Sequence, residues 1–146
     1  MVQCSDHGKG LDLARVLVVD DDPAFRLTLQ TVLAAGGYQV DGAATAAEAL
    51  SKMDRAQYEL ILSDLQMESP EAGLRVLAHA QLMAYEPAAA LLTKWLSVKF
   101  SGTPRADESL LIETEDLPEF LSRVACLIAE RATRMVERDL RAHSHN

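Results

Sequence analysis

The segment that most constrains the fold is an apolar run over residues 15–19 that leads directly into acidic residues. It reads Arg-Val-Leu-Val-Val and is followed by Asp20, Asp21, Asp22 and Pro23. A continuous β-branched run is typical of a strand buried on both faces, as in a parallel sheet. Pro23 suits the first turn of a helix, and Asp22 can accept hydrogen bonds from that turn. The segment therefore predicts a buried strand, an acidic turn and then a helix.

Apolar runs of this kind alternate along the chain with segments of helical spacing. Further strands are predicted over Tyr38–Gly42, Leu60–Leu62, Ala88–Leu92 and Ser109–Ile112. Helices are predicted after Pro23, from Thr45 to about Met53, over Gly73–Ala84, and from Leu117 to near Leu140. Strands that alternate with helices at this spacing predict an open α/β sheet with helices on both faces.

Length and composition exclude several classes of protein. The 146 residues fit one domain, expected over residues 15–128, with a flexible leader over 1–14 and a helix extension with a tail over 129–146. A net charge of −8 argues against direct binding to nucleic acid. The apolar runs are too short to span a bilayer, so no membrane contact is expected. Two cysteines and the absence of a signal-peptide pattern favour a cytoplasmic protein.

Polar side chains follow three of the predicted strands. Asp20 and Asp21 come after the first strand, Asp64 after the third and Thr93 after the fourth. Ligands collect beyond the carboxyl ends of strands in such sheets. Clustered carboxylates suit Mg²⁺, which takes oxygen ligands and recruits phosphate, and a carboxylate beside the ion can attack phosphorus. The hydroxyl of Thr93 could then bond a transferred phosphoryl oxygen.

The sequence resembles the receiver domains of two-component response regulators, which act in bacterial phosphorelays. The resemblance covers about residues 14–128 and is carried by residues 15–23, Leu60-Ile-Leu-Ser-Asp-Leu-Gln-Met67, Leu91-Leu-Thr93 and residues 110–121. It implies a flavodoxin-like (receiver) fold, a three-layer sandwich around a five-stranded parallel sheet. We expect a long C-terminal helix to close this domain.

The resemblance also implies roles for individual residues. Asp20 and Asp21 would bind Mg²⁺, and Asp64 would bind the same ion and accept a phosphoryl group. Gln66 would offer its backbone carbonyl to the metal, and Thr93 would be the switch hydroxyl. The phosphoryl group would come from a histidine kinase or a phosphotransfer protein, and the phosphorylated domain would change its binding to a downstream effector.

Three departures from the family pattern stand out. The lysine that usually ends the fifth strand is replaced by Glu113. Gly73 lies nine residues after Asp64, one more than usual, so the intervening loop is longer. Residues 94–107 contain Gly102 and Pro104, which predicts a fourth helix that is short or missing. A carboxylate in place of an ammonium reverses an interaction of about 4 kcal/mol at 4 Å and an effective dielectric near 20. If Glu113 points into the site, phosphorylation should therefore be weakened or its output uncoupled.

These departures leave an alternative open, a pseudo-receiver that acts as a protein-interaction or dimerisation module without phosphorylation. An enzyme is not expected, apart from hydrolysis of the domain's own phosphoryl group. The haloacid-dehalogenase phosphatases need a different pattern after the second aspartate, where this chain has Pro23-Ala24. Because the sequence ends soon after the last helix, we expect a single-domain regulator or an excised receiver.

The last helix carries two further expectations. Cys126 lies among Val124, Leu127 and Ile128, which predicts a buried thiol. The part of the helix after residue 129 carries apolar residues but is interrupted by Arg131 and Arg138, so it is either a solvated tail or a contact helix. Met135, Val136 and Leu140 favour a partner contact there, including homodimerisation through the C-terminal helix.

Overall fold

A computed structural model describes residues 14–65, 67–93, 111–113 and 117–144. The strands are β1 (Arg15–Val19), β2 (Gln39–Ala43), β3 (Leu60–Asp64), β4 (Ala88–Thr93) and β5 (Leu111–Glu113). The helices are α1 (Pro23–Ala35), α2 (Ala46–Arg55), α3 (Ala72–Leu82) and α4 (Leu117–Ser144). The predicted alternation of strands and helices is confirmed.

The five strands form one sheet in the order β2-β1-β3-β4-β5, and every neighbouring pair is parallel. In the register, Val19 lies opposite Ser63, and Asp64 lies opposite Leu92. All strands therefore end at the same edge of the sheet, which we call the carboxyl edge. The predicted flavodoxin-like sheet is confirmed.

Helices cover the sheet on both faces and complete the three-layer sandwich. On one face, α1 and α4 pack through Leu29, Leu33, Phe120 and Val124 against apolar side chains of β1, β3 and β4. On the other face, the buried residues of α2 and α3 include Met53 and pack against β1 and β3. The central strands are thus buried on both sides, as their continuous apolar sequences predict.

Local capping explains where the first two helices begin. The carboxylate of Asp22 accepts hydrogen bonds from the amides of Ala24 and Phe25, at 3.1 and 3.4 Å. At the start of α2, the Thr45 hydroxyl accepts from the Glu48 amide at 3.0 Å, and Glu48 accepts in return from the Ala44 amide at 2.8 Å. This reciprocal pair is a capping box, which the Thr-Ala-Ala-Glu spacing predicts.

Some predicted bounds differ from the structure. Helix α3 ends at Leu82, two residues before the predicted end, and Met83 after it adopts an extended backbone. Helix α4 continues without a break past residue 128 to Ser144, farther than expected. The strand predicted over Ser109–Ile112 is described over Leu111–Glu113, so it includes Glu113. The leader predicted over residues 1–14 lies outside the described residues except for Ala14, which is buried beside β1. The short or missing fourth helix also lies outside the described residues.

The extension of α4 is held against the domain's own α3–β4 loop. Arg131 donates hydrogen bonds to the carbonyls of Tyr85 and Glu86, at 2.6 and 2.9 Å. Arg138 pairs with the Glu86 carboxylate at 2.5 Å. The two arginines that interrupt the apolar pattern of this helix therefore serve as an intramolecular clamp. Cys126 is exposed, so the prediction of a buried thiol is wrong: Val124 carries the packing face, and Cys126 lies off it.

Among the residues that the structure describes, no helix combines the length and the apolar character that crossing a bilayer requires.

Tyr58, two residues before β3, bonds to Asp41 of β2. Its buried side chain donates a hydrogen bond to Asp41 at 2.7 Å. Burial first, and the Asp41 carboxylate second, raise the pKa of Tyr58 well above 10. A raised pKa means that the folded state binds the phenolic proton more tightly, so this stabilisation is complete below pH 10 and is lost as the pH rises further.

We expect Tyr58→Phe to lower the free energy of unfolding at pH 7 by about 1 kcal/mol, because one hydrogen bond is lost. We also expect the variant to lose less stability than the wild type between pH 9 and 11. Urea unfolding across that range measures both effects. Equal losses above pH 10 in the two proteins would contradict the assignment.

Candidate metal centre

Three aspartates meet at the carboxyl edge of the sheet. Asp20, Asp21 and Asp64 each offer a carboxylate oxygen, and these three oxygens lie within 4.8 Å of one another. Asp20 is fully buried and Asp64 is only 9% exposed, whereas Asp21 is exposed. The cluster therefore has two oxygen donors set into the domain and one facing solvent.

Asp20 is held in place by hydrogen bonds to its backbone and side chain. Its amide donates to the carbonyl of Ala43 at 3.0 Å, which ties the end of β1 to the end of β2. Its Oδ1 accepts from the amide of Asp22 at 2.9 Å. Its carbonyl accepts from the guanidinium of Arg26, on α1, at 2.6 Å. The direction of this carboxylate is thus set by β2, by the acidic turn and by α1.

Asp64 is the last residue of β3, the central strand, and a glycine lets α3 approach it closely. The hydroxyl of Ser63 donates to the Asp64 carbonyl at 3.0 Å. A Cβ on Gly73 would overlap that same carbonyl oxygen and would lie 2.5 Å from the carbonyl oxygen of Leu65. Only a residue without a side chain leaves room for this contact, so Gly73 fixes where α3 begins relative to the site.

The longer loop between β3 and α3 is tied to the neighbouring helix. The side chain of Met67 packs into the core on the α2 and α3 face. The Glu68 carboxylate accepts a hydrogen bond from the amide of Ala46, at the start of α2, at 3.1 Å. A carboxylate at a helix N-terminus satisfies an amide that has no partner within the helix. The loop that follows Asp64 is therefore anchored rather than merely extended.

The donor set fits Mg²⁺. Mg²⁺ takes six oxygen ligands at about 2.1 Å, and it retains several waters and binds phosphate oxygens. Opposite ligands of such an ion lie about 4.2 Å apart, so a small side-chain adjustment brings three oxygens spread over 4.8 Å around one ion. Three carboxylates without a cation would repel one another, so the cluster has a strong electrostatic preference for binding a cation.

Of the other predicted site residues, the structure describes the backbone of Thr93 and Glu113 but not Gln66. Thr93 ends β4 at the carboxyl edge and lies opposite Glu113 of β5 in the register. The backbone therefore brings both residues to the edge where the three aspartates meet. Gln66 lies outside the described residues, so its predicted contact with the metal stays a prediction. The predicted electrostatic effect of Glu113 also stays a prediction.

Two residues of this region were missed by the sequence analysis. Arg26 contacts Asp20 from one turn inside α1, and Glu68 caps α2 from a loop more than twenty positions away. The signal for Arg26 is its position six residues after Asp20, where the first turns of α1 face the strand end. No local pattern signals the Glu68 contact, because it depends on how the loop packs.

Comparisons of sequence agree with this geometry. The profile of the response regulator receiver domain family matches residues 16–100, more than half of the chain. The transcriptional regulatory protein GlrR of Escherichia coli is 37% identical over 68 residues, 47% of this chain and 15% of that protein. The transcriptional regulatory protein PrrA of Mycobacterium leprae is 28% identical over 124 residues, 84% of this chain and 53% of that protein. The matches thus span from about a seventh to about half of these relatives.

Comparisons with solved structures also find response regulators. The response regulator TrrA of Thermotoga maritima, solved with Mg²⁺ and BeF, superposes with a TM-score of 0.67 and 30% identity. That match covers 79% of this chain and 99% of the other. A chemotaxis response regulator of Vibrio cholerae gives a TM-score of 0.63 and 25% identity, with 79% and 98% of the two chains covered.

The contact at Gly73 predicts a specific effect of substitution. We expect Gly73→Ala to lower the free energy of unfolding by about 1–3 kcal/mol and to weaken Mg²⁺ binding, because the added methyl must push α3 away from the Asp64 backbone. Gly36→Ala is the matched control, since a Cβ there meets its nearest atom at an ordinary 3.4 Å. Chemical denaturation and Mg²⁺ titration of both variants measure the difference. Equal behaviour of the two would show that the close approach is not required.

Proposed function

Since the chain belongs to the response regulator receiver domain family, we propose that it accepts a phosphoryl group on Asp64 in an Mg²⁺-dependent reaction. It is a receiver domain of a two-component response regulator, and its acidic cluster lies at the carboxyl edge of the sheet. The observation that carries the proposal is the meeting of Asp20, Asp21 and Asp64 within 4.8 Å.

In this proposal, a carboxylate oxygen of Asp64 forms a bond to phosphorus while the bond from phosphorus to the donor breaks. The electron pair of that bond leaves with the donor, which is the phosphohistidine of a histidine kinase or of a phosphotransfer protein. Asp20, Asp21 and Asp64 would hold the Mg²⁺, and Gln66 would add a backbone carbonyl. The bound ion supplies charge neutralisation for the transferring phosphoryl group. The protein's own contribution is positioning and fixed electrostatics.

The hydroxyl of Thr93 would bond the transferred group and so report phosphorylation to the rest of the domain. A ligand that binds one of two conformations more tightly shifts the population toward it, and a downstream effector would respond to this shift. Glu113 is proposed to weaken this response, because a fourth carboxylate at the carboxyl edge opposes a phosphoryl dianion. The domain is proposed as a phosphoacceptor that can hydrolyse its own acyl phosphate and turns over no other substrate.

The alternative of an interaction module without phosphorylation is not favoured. All three carboxylates are in place, and Asp20 and Asp64 are buried, which costs free energy that a module of this kind would have no reason to retain. We therefore keep phosphorylation as the function that the site supports best.

Partners other than the kinase and the effector are proposed from the surface. The net charge of −8 gives no basis for direct binding to nucleic acid, and we propose a cytoplasmic protein without membrane contact. Val136 and Leu140 of α4 are 57% and 63% exposed, and homodimerisation through this helix would cover them. Arg131 and Arg138 are used within the domain, so such a contact would use a different face of α4.

Phosphorylation can be tested by intact-mass spectrometry after incubation with a small-molecule phosphodonor and Mg²⁺. We expect one phosphoryl adduct on the wild-type chain, no adduct without Mg²⁺, and no adduct on Asp64→Asn. Asp22→Asn is the matched control, because Asp22 caps α1 outside the cluster and asparagine also caps helices. An adduct that persists in Asp64→Asn would overturn the site, and no adduct on the wild type would overturn the function.

A further inference from the structure

Arg26 places a permanent positive charge beside the backbone of Asp20, the first aspartate of the cluster. It lies one turn inside α1, is half-buried, and donates a hydrogen bond to the Asp20 carbonyl at 2.6 Å. That bond occupies one of the five N–H donors of the guanidinium. The contact fixes the guanidinium against the backbone of Asp20, whose buried carboxylate belongs to the cluster.

Arg26 also acts on Glu48, at the start of α2. The pKa of Glu48, at the start of α2, is lowered first by the Ala44 amide, then by Lys52 and also by Arg26. Lys52 itself is engaged elsewhere, since its ammonium donates to the Gly42 carbonyl at 2.6 Å and lies 3.5 Å from Glu48. Arg26, by contrast, bonds directly to the backbone of an aspartate of the cluster.

We propose that Arg26 is a charge-compensating residue, whose positive charge favours the phosphoryl group on Asp64. This inference rests on the proposed function and adds a residue to it. A phosphoryl dianion adds negative charge to an edge that already carries three carboxylates and ends β5 with a glutamate. A guanidinium cannot lose its charge at physiological pH, and its planar donors suit phosphate oxygens. Arg26 therefore opposes the accumulation of negative charge during transfer.

The inference makes a prediction that a purely structural role does not. A positive charge near the cluster attracts the phosphoryl group but repels Mg²⁺. Removing it should therefore slow phosphorylation and, at the same time, tighten Mg²⁺ binding. If Arg26 only held the backbone of Asp20 in place, its removal would disorder the cluster and weaken both. The charge role and the structural role therefore predict opposite changes in Mg²⁺ affinity, and measuring that affinity distinguishes them.

The experiment uses the full chain and the variants Arg26→Gln, Arg26→Lys and Arg75→Gln. Arg75→Gln is the matched control, because Arg75 is exposed on α3 and its substitution removes the same charge from the surface. Mg²⁺ affinity is measured by calorimetry, thermal stability is measured in EDTA, and the rate of phosphorylation is measured by intact mass with a small-molecule phosphodonor at saturating Mg²⁺.

For Arg26→Gln we expect Mg²⁺ to bind roughly threefold more tightly and phosphorylation to slow about tenfold. Arg26→Lys keeps the charge and should stay within roughly threefold of the wild-type rate. Arg75→Gln should match the wild type in both measurements. Unchanged or weaker Mg²⁺ binding in Arg26→Gln, or an unchanged rate, would overturn the inference.

Two further outcomes are distinguishable. If the wild type takes no phosphoryl group, the proposed function fails. Tighter Mg²⁺ binding by Arg26→Gln would still confirm the charge effect of Arg26. Unchanged or weaker Mg²⁺ binding would overturn that charge effect. If Arg26→Gln does not fold, Arg26→Lys decides: a rate more than about tenfold below the wild type would show that charge is not what Arg26 supplies.

Discussion

The parallel pairing of β1 with β3 is the constraint on which the rest of the site depends. In that register Val19 lies opposite Ser63, so the residues that follow, Asp20 and Asp64, leave the sheet side by side. Carboxylates held this close repel one another. The apolar side chains of β1 and β3 are buried on both faces, and this packing holds the two strand ends together. Hydrophobic burial thus opposes the repulsion within the site.

The three aspartates of the cluster differ in how firmly their surroundings hold them. Asp20 is held by hydrogen bonds from three directions, and Asp64 is held from below by the close approach of Gly73. Asp21 is exposed and can adjust to an ion. This arrangement of two fixed ligands and one movable ligand suits Mg²⁺, which demands near-octahedral geometry and is slow to lose its waters. The charge of Arg26 then offsets part of the remaining negative potential.

The sequence predicts the sheet, the caps of α1 and α2, and the three aspartates, because these depend on local patterns and on the general behaviour of parallel sheets. It does not predict contacts between segments far apart in the chain. The bond from Glu68 to α2 and the clamp of Arg131 on Glu86 depend on loop packing, which no periodicity encodes. Cys126 was misjudged because apolar neighbours along a helix do not establish which of its faces is buried.

The most direct test of the account is whether folding has built one Mg²⁺ site from these carboxylates. Calorimetric titration of Mg²⁺ into the wild type and Asp21→Asn measures this, because Asp21 is exposed and its substitution leaves the core intact. We predict a single saturable site in the wild type and an affinity at least about tenfold lower in Asp21→Asn. The variant should be no less stable than the wild type in EDTA, since a like charge has been removed. Equal affinities, or no saturable binding by the wild type, would contradict the account.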